Sequence, residues 1–299
     1  MVGIITDIQR FCLNDGPGIR TTIFLKGCNM SCAWCHNPET ISYNCQIHFY
    51  PAKCIGCYNC IKICPVGAQQ VVDGEHRIDR ALCTGCGMCA DICYPGALVL
   101  SGKKMTTEQV MQEVLQDKAY YLDSGGGVTL SGGEVLCQKD FALSLVRSCH
   151  ENNISIGLET NLGLPFETVE PLLREVDLLM IDIKLIDDAQ HRKWTGVTNQ
   201  LVLENITKVS KLGIPIIIRT PLIPGVTDTE ENLTRIATFV ASIPNVLYYE
   251  LLNFNPLGEA KYKSLEKENV FEKVRPLSNE KLEKISFMLR NYGIAIKIG

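Results

Sequence analysis

DLLMIDIK, residues 177–184, decides the fold. Its apolar residues run almost unbroken from Leu178 to Ile183. A strand with one wet face alternates apolar and polar residues. An unbroken run suits a strand buried on both faces, in a parallel sheet covered by helices. Asp182 and Lys184, two apart, project to the same side of such a strand. Outward in both directions the same unit recurs. Upstream, TTIFL (21–25), VTL (128–130) and ISIGL (154–158) read as strands, and TEQVMQEVLQ (107–116), KDFALSLVRSCHEN (139–152) and ETVEPLLREV (167–176) as helices. Downstream come a helix near 199–212, strand IPIIIR (214–219), a helix near 229–242, strand VLYYELL (246–252) and a last helix near 278–292 with Gly293 as its C-cap. Six β/α units in succession predict an α/β fold, a partial (β/α)6 TIM-like barrel. Eight strands close a full ring, so six leave its side open.

One block breaks the alternation, between the first strand and the first helix. Residues 54–65, CIGCYNCIKICP, have the spacing C-x2-C-x2-C-x3-C-P. Residues 83–95, CTGCGMCADICYP, repeat the four-cysteine spacing with one extra residue before Pro95. Both runs continue into a Gly-Ala pair. This internal repeat is the two-cluster bacterial ferredoxin signature, in which the fourth cysteine serves the other cluster. Cys54, Cys57, Cys60 and Cys93 are therefore assigned to one four-iron cluster, and Cys83, Cys86, Cys89 and Cys64 to the second. The expected organisation is a barrel formed by 1–44 and 101–299 with a ferredoxin-like domain over 45–100, inserted in a loop where insertions are tolerated.

The remaining composition narrows the class. The chain has 299 residues, 46% of them hydrophobic, and a net charge of −4. There is no basic block of the kind that marks a nucleic-acid footprint, and no apolar run of the ~20 residues a membrane span needs. The start, MVGIITDIQRF, has neither a basic n-region nor a long apolar h-region. Fifteen cysteines without an export signal point to metal or cluster ligation in the cytoplasm rather than to disulfides.

A further cysteine group stands outside the repeat. KGCNMSCAWCHNPE (26–39) carries Cys28, Cys32 and Cys35 in the spacing C-x3-C-x2-C. Three thiolates are one short of a closed zinc site or a fully protein-ligated four-iron cluster, so one iron is left open. This loop follows the first strand, and in a β/α barrel chemistry gathers at the C-terminal strand ends. The other strands end in SGGE (131–134), ETN (159–161), MIDIK with Asp182 and Lys184, Arg219, and NFN with Asn253 and Asn255. Polar and glycine residues from six strands thus share one rim. An amino acid can chelate an open iron through its amine and carboxylate. Adjacent glycines allow close backbone approach, Glu134 suits an ammonium, and Lys184 suits a carboxylate.

With C-x3-C-x2-C and Trp34 before the last cysteine, the chain resembles the radical S-adenosylmethionine superfamily. With DGPGIR (15–20), WCHNPE (34–39), SGGE, DIK and LLNFNPLG (251–258), it resembles the glycyl-radical-enzyme activating enzymes, relatives of pyruvate formate-lyase activating enzyme. The two-cluster insert resembles the larger subgroup, which activates dehydratases, decarboxylases and C–N or C–S lyases. The resemblance implies three 4Fe-4S clusters, S-adenosylmethionine chelated to the open iron, and its reductive cleavage to methionine and a 5′-deoxyadenosyl radical. That radical takes a hydrogen atom from a backbone glycine of a partner enzyme. It implies that Trp34, Cys35 and His36 line the adenosylmethionine, that Gly132, Gly133 and Glu134 hold its amino end, and that Asp182, Ile183, Lys184 and Asn255 contact the rest. Arg219 would position the methionyl carboxylate or the incoming peptide. Glu159, Thr160, Met180 and Asp182 match a monovalent-cation site, and Asp15, Gly16, Pro17, Gly18 and Arg20 match the region that meets the partner's glycine loop. Asn255 stands where smaller relatives carry His, and Glu159 where they carry Asp. A flavodoxin or ferredoxin donor and a monomeric state complete the family expectation.

Two other functions compete: a radical adenosylmethionine enzyme for a small molecule or another peptide, and a plain electron-transfer protein. DGPGIR favours activation, and the rim argues against mere electron transfer. The remaining features are given ordinary roles. Cys12, Cys45, Cys137 and Cys149 are read as buried or incidental thiols, His48, His76, His150 and His191 as surface residues, and the Lys- and Glu-rich run at 259–273 as a solvated segment.

Overall fold

The computed structural model describes all 299 residues. Thirteen strands are formed. In chain order they are β1 (Val2–Cys12), β2 (Arg20–Leu25), β3 (Gln46–Phe49), β4 (Gln69–Val72), β5 (Glu75–Ile78) and β6 (Leu98–Ser101). Then come β7 (Lys103–Thr106), β8 (Gly127–Gly132), β9 (Ser155–Thr160), β10 (Leu178–Asp182), β11 (Ile216–Leu222), β12 (Val246–Asn253) and β13 (Ile296–Ile298). Nine of them make one sheet in the order β13-β12-β11-β10-β9-β8-β2-β1-β7. From β2 to β13 every pairing is parallel, whereas β1 runs antiparallel to both β2 and β7. The two edge strands do not pair, so the sheet curls without closing. The six expected strands are all present, with β10 ending at Asp182 and leaving Ile183 and Lys184 just beyond it.

Three further strands extend the sheet. β13 is only three residues long, too short for any periodicity. β1 contains Asp7 and Gln9, and two register shifts against β2 interrupt its alternation. The helices that cover the sheet match the sequence reading within a few residues, from Thr107–Leu115 to Asn279–Leu289. Gly293 follows the last turn at φ 72°, as its C-cap position requires.

Strand parity separates two interiors. Leu179, Ile181 and Ile183 enter the main core between sheet and helices. Leu178, Met180 and Ile217 pack together on the concave face, with Tyr248 against them. Above this floor the same face carries Asp182 and Lys184 to the rim.

The insert is built as a repeat down to its backbone. β3 pairs antiparallel with β6, and β4 with β5. Short helices Asn59–Ile63 and Met88–Asp91 carry Cys60 and Cys89. Left-handed residues recur in register: Gly56, Tyr58 and Gly67 in the first half, Gly85, Gly87 and Gly96 in the second. A separate small core of Ile47, Phe49, Ile78, Cys89, Ala97 and Leu98 lies beneath.

Two ordinary readings need correction. His48 and His191 are buried rather than at the surface, each held by a hydrogen bond, to Ser264 Oγ and to the Val197 carbonyl. The charged run at 259–273 is not merely solvated: it contains helix Glu259–Ser264, whose Tyr262 and Ser264 are buried. Lys261, Lys263 and Lys267 suggest solvent by composition, but long lysine stems also lie along apolar surface and reach buried acceptors.

Candidate active site

The cysteine loop leaves β2 at Leu25 and is held at both ends. The Gly27 and Cys28 amides donate to the Thr40 and Ile41 carbonyls at 2.7 and 3.1 Å. The Ser31 and Ala33 amides donate to the Thr195 and Trp194 carbonyls, which end the helix Asp188–Thr195. SGGE packs directly against this loop. Gly132 has φ 122°, and a Cβ there would stand 2.1 Å from the Leu25 carbonyl oxygen. A Cβ on Gly133 would stand 2.4 Å from that of Gly27. Both positions therefore demand glycine, because two backbones meet there.

Above these elements opens a cavity of about 1640 Å³, solvent at its mouth included. Cys28, Cys32, Cys35, Trp34 and His36 line one wall, and Gly132, Gly133, Glu159, Thr160, Asp182, Lys184, Arg219 and Asn255 line the rest. Trp34 is buried against Phe271 and Trp194, with ring centroids 6.2 and 6.4 Å away. In the absence of iron, burial pushes all three thiols up, Cys35 to about 12. Such thiols keep their protons until a metal replaces them. The loop thus fits a three-thiolate cluster in chemistry and in space.

Charge is arranged in a row. Asp182, Arg219 and Glu250 are register neighbours on β10, β11 and β12. Lys184 Nζ donates to Asp182 Oδ2 at 2.7 Å. Burial disfavours the ammonium, but the Asp182 carboxylate outweighs it and holds Lys184 above its ordinary value. Arg219 is buried and makes three bonds: to Glu159, to Glu250 at 2.6 Å, and to the Asn14 carbonyl at 2.8 Å. Burial raises Glu159 even though Arg219 pulls the other way, and Ser131 Oγ donates to its second oxygen.

Some expected contacts lie elsewhere. Glu134 is wholly buried and turned from the cavity. It accepts from the Leu136 amide (3.0 Å), Thr160 Oγ1 (2.7 Å) and the Asn161 amide (2.7 Å), tying SGGE to the end of β9. The Ile183 side chain belongs to the main core and Met180 to the inner floor. Of the four residues matched to a cation site, Glu159, Thr160 and Asp182 line the cavity and the Met180 side chain lies in the floor; Arg219 engages Glu159, and Lys184 engages Asp182. Asn255 accepts from the Leu257 amide at 3.0 Å and faces the cavity.

DGPGIR forms a turn that folds beneath the cavity. Thr22 Oγ1 donates to the Asp15 carboxylate, and Thr129 Oγ1 to its carbonyl at 2.7 Å. Arg20 is buried and donates through Nε to Thr129 Oγ1 at 2.7 Å and through NH1 to the Pro17 carbonyl at 3.2 Å. Gly16 and Gly18 have φ 118° and 70°, so they make the turn. Asn14 and Asp15 line the cavity; Gly16, Pro17, Gly18 and Arg20 support them.

In the insert the cysteines ring two smaller spaces. Cys54, Cys57, Cys60 and Cys93 line one of about 380 Å³, and Cys64, Cys83 and Cys86 another of about 270 Å³, with Cys89 bordering both. No three His, Cys, Asp or Glu side chains are placed to share a single metal ion. The thiols surround volumes, as clusters need. Amide donors reach three of the sulfurs: Ala68 N to Cys64 at 3.2 Å, Leu98 N to Cys93 at 3.4 Å and Gln69 Nε2 to Cys89 at 3.2 Å.

Sequence reasoning passed over Glu250, Thr195 and Tyr262. Glu250 had a signal, since a carboxylate interrupts the apolar VLYYELL at the register of Arg219 in the neighbouring strand. The others act through backbone contacts that composition does not mark.

Known proteins agree with this geometry. Residues 81–237 match the radical SAM superfamily, and residues 46–94 match the 4Fe-4S dicluster domain. The (2S)-3-sulfopropanediol sulfolyase activating enzyme of Bilophila wadsworthia is 39% identical over 295 residues, 97% of each chain. The trans-4-hydroxy-L-proline dehydratase activating enzyme of Clostridioides difficile is 39% identical over 301 residues, 99% of each. A crystal structure of a radical SAM methyltransferase from Sphaerobacter thermophilus, 15% identical, superposes with a TM-score of 0.54 over 99% of this chain and 76% of its own, a likeness of fold. By its identity over nearly full length, this chain belongs to the glycyl-radical-enzyme activating enzymes of the radical S-adenosylmethionine superfamily.

Proposed function

We propose that the large cavity binds S-adenosylmethionine at a cluster held by Cys28, Cys32 and Cys35, and presents it to a glycine loop of a partner enzyme. When bound, the cofactor pair supplies one-electron cleavage of the sulfonium, so that hydrogen is taken from the glycine. The observation that carries this reading is the convergence of three thiols, a backbone-lined glycine ledge and an ammonium on one cavity. Lys184 pairs the methionyl carboxylate while Asp182 keeps it charged and aimed. Gly132 and Gly133 offer backbone to the amino end, and Glu134 acts from behind by fixing their turn. Trp34 and His36 flank the adenosine side. Asp15 and Asn14 border the path of the peptide, and Arg219 locks Asn14 in place.

The insert, over residues 45–100, carries two further four-iron clusters, for three in all. A flavodoxin or ferredoxin supplies the electrons, and the enzyme works as a monomer in the cytoplasm. The partner is of the dehydratase, decarboxylase or C–N or C–S lyase type, in line with the names of the relatives. No monovalent cation is needed at Glu159, because Arg219 already supplies the positive charge there. Anaerobic incubation of the reconstituted, reduced protein with S-adenosylmethionine tests the reading. 5′-Deoxyadenosine and methionine are expected, and their absence leaves electron transfer as the function.

A further inference from the structure

The helix Glu259–Ser264 lies between the two cysteine-bearing parts and is bonded to both. Towards the radical-site loop, Tyr262 OH donates to the Cys35 carbonyl at 2.9 Å. Lys261 Nζ donates to Asn37 Oδ1 and to Glu39 Oε1, each at 2.6 Å. Lys267, just beyond the helix, donates to the Pro38 carbonyl at 2.8 Å. Towards the insert, Ser264 Oγ pairs with His48 Nδ1 at 2.7 Å. The Ser264 carbonyl accepts from Arg80 at 3.1 Å, and the same guanidinium bonds the Ile47 carbonyl and Glu266. Ile47 lines the space ringed by Cys64, Cys83 and Cys86. The Cys83 amide is bonded to Asp79, the residue before Arg80.

This concentration of polar contacts asks for an explanation. Tyr262, Ser264 and His48 are each less than a tenth exposed, and burying polar groups is costly unless every one is matched. The contacts join segments about 200 residues apart in sequence. Among the side chains named, Glu39 Oε2 alone is buried without a partner, and a buried network matched to that extent favours one geometry over several. Rigidity of this kind has a use when an electron must cross a gap, because tunnelling weakens exponentially with distance.

We propose that the helix Glu259–Ser264 is the mount that fixes the Cys64/Cys83/Cys86/Cys89 site at a set distance from the Cys28/Cys32/Cys35 site, with Tyr262 a positioning residue for Cys35. The inference rests on the proposed function, in which both sites hold clusters. One electron leaves a reduced flavodoxin, crosses the insert, and arrives at the radical site, where it is consumed in breaking one carbon–sulfur bond of the sulfonium. His48, Arg80 and Ser264 hold the insert's end of the crossing, and Tyr262 and Lys261 hold the other.

The test uses the full-length reconstituted protein. His48→Phe combined with Arg80→Met removes the insert's side of the mount without touching a thiol or the large cavity. Losing these hydrogen bonds should speed amide exchange in Gln46–Phe49 and Glu259–Ser264 at least about tenfold. Iron content and dithionite-driven 5′-deoxyadenosine should be unchanged, because a small reductant reaches the radical site directly. Flavodoxin-driven formation should fall, because the gap the electron crosses is no longer held at one distance. Separately, Tyr262→Phe should shift the midpoint potential and electron paramagnetic resonance of the radical-site cluster, which a purely structural helix would leave in place. Unchanged exchange in the double variant, equal loss with both reductants, or an unshifted cluster in Tyr262→Phe overturns the mount. A wild type that makes no 5′-deoxyadenosine even with dithionite overturns the proposed function instead.

Discussion

Lys184 is the residue whose role can be read most directly. It sits at the cavity beside Asp182 and the cysteine loop, charged despite its burial. Lys184→Ala removes one charge-assisted hydrogen bond to the ligand, about 1.5–3 kcal/mol, so S-adenosylmethionine should bind at least about tenfold more weakly. Isothermal titration checks this, and an unchanged dissociation constant would make Lys184 a structural partner of Asp182. Arg219 makes the opposite case. Its buried guanidinium compensates two partly buried carboxylates, Glu159 and Glu250. Arg219→Met should cost about 3–5 kcal/mol of stability by leaving both carboxylates without a counter-charge, read as a lower denaturant midpoint. On the proposal that Arg219 supplies the positive charge beside Glu159, activity of the wild type should not depend on whether sodium or potassium is present. Lys184, Asp182 and Arg219 could be placed at strand ends from where the apolar runs stop, and parity put Asp182 and Lys184 on one side. The sequence could not show that Glu134 turns inwards, because a carboxylate after two glycines has the same letters whether it meets ligand or backbone.

Elements differ in how plainly they were written. The parallel strands were legible because burial on both faces leaves unbroken apolar runs, as in Leu178–Ile181. The insert was legible because cluster spacing is rigid. Helix Glu259–Ser264 was not, since its buried hydroxyls and lysines have no hydrophobic period and their partners lie about 200 residues away. A pH effect follows from its contact with β3. Burial lowers His48 to about 4, from an ordinary 6.5. Between those values the unfolded segment takes a proton that the seated histidine refuses. Stability is therefore full above pH 6.5 and is lost as pH falls towards about 4. At pH 5.5 the loss is about 1 kcal/mol. Amide exchange of Gln46–Phe49, corrected for its intrinsic pH dependence, should quicken from pH 7 to 5.5 in the wild type and not in His48→Phe. A flat response would place His48 outside the joint.

For the whole molecule, the decisive feature is a sheet that curls without closing. β7 and β13 remain unpaired edges, and the cavity stays open to solvent. An open side suits a macromolecular substrate, and glycine alone lets its α-carbon be approached without a side chain intervening. The three clusters proposed would give ~12 iron atoms per chain after anaerobic reconstitution. Replacing Cys28, Cys32 and Cys35 with Ala should remove about a third of that iron and all cofactor cleavage, while the insert keeps its share. The openness was foreseeable from six strand-like runs where a ring takes eight. The partner was not, because nothing inside this chain encodes the substrate of the enzyme it activates. The central claim is that hydrogen is taken from a protein glycine. Anaerobic mixing with a candidate partner bearing a C-terminal glycine loop, S-adenosylmethionine and reductant tests it by electron paramagnetic resonance. A glycyl doublet on the partner, weakened by Asp15→Ala, is the predicted result. Absence of that radical from every candidate partner, with catalytic conversion of a small molecule instead, would contradict it.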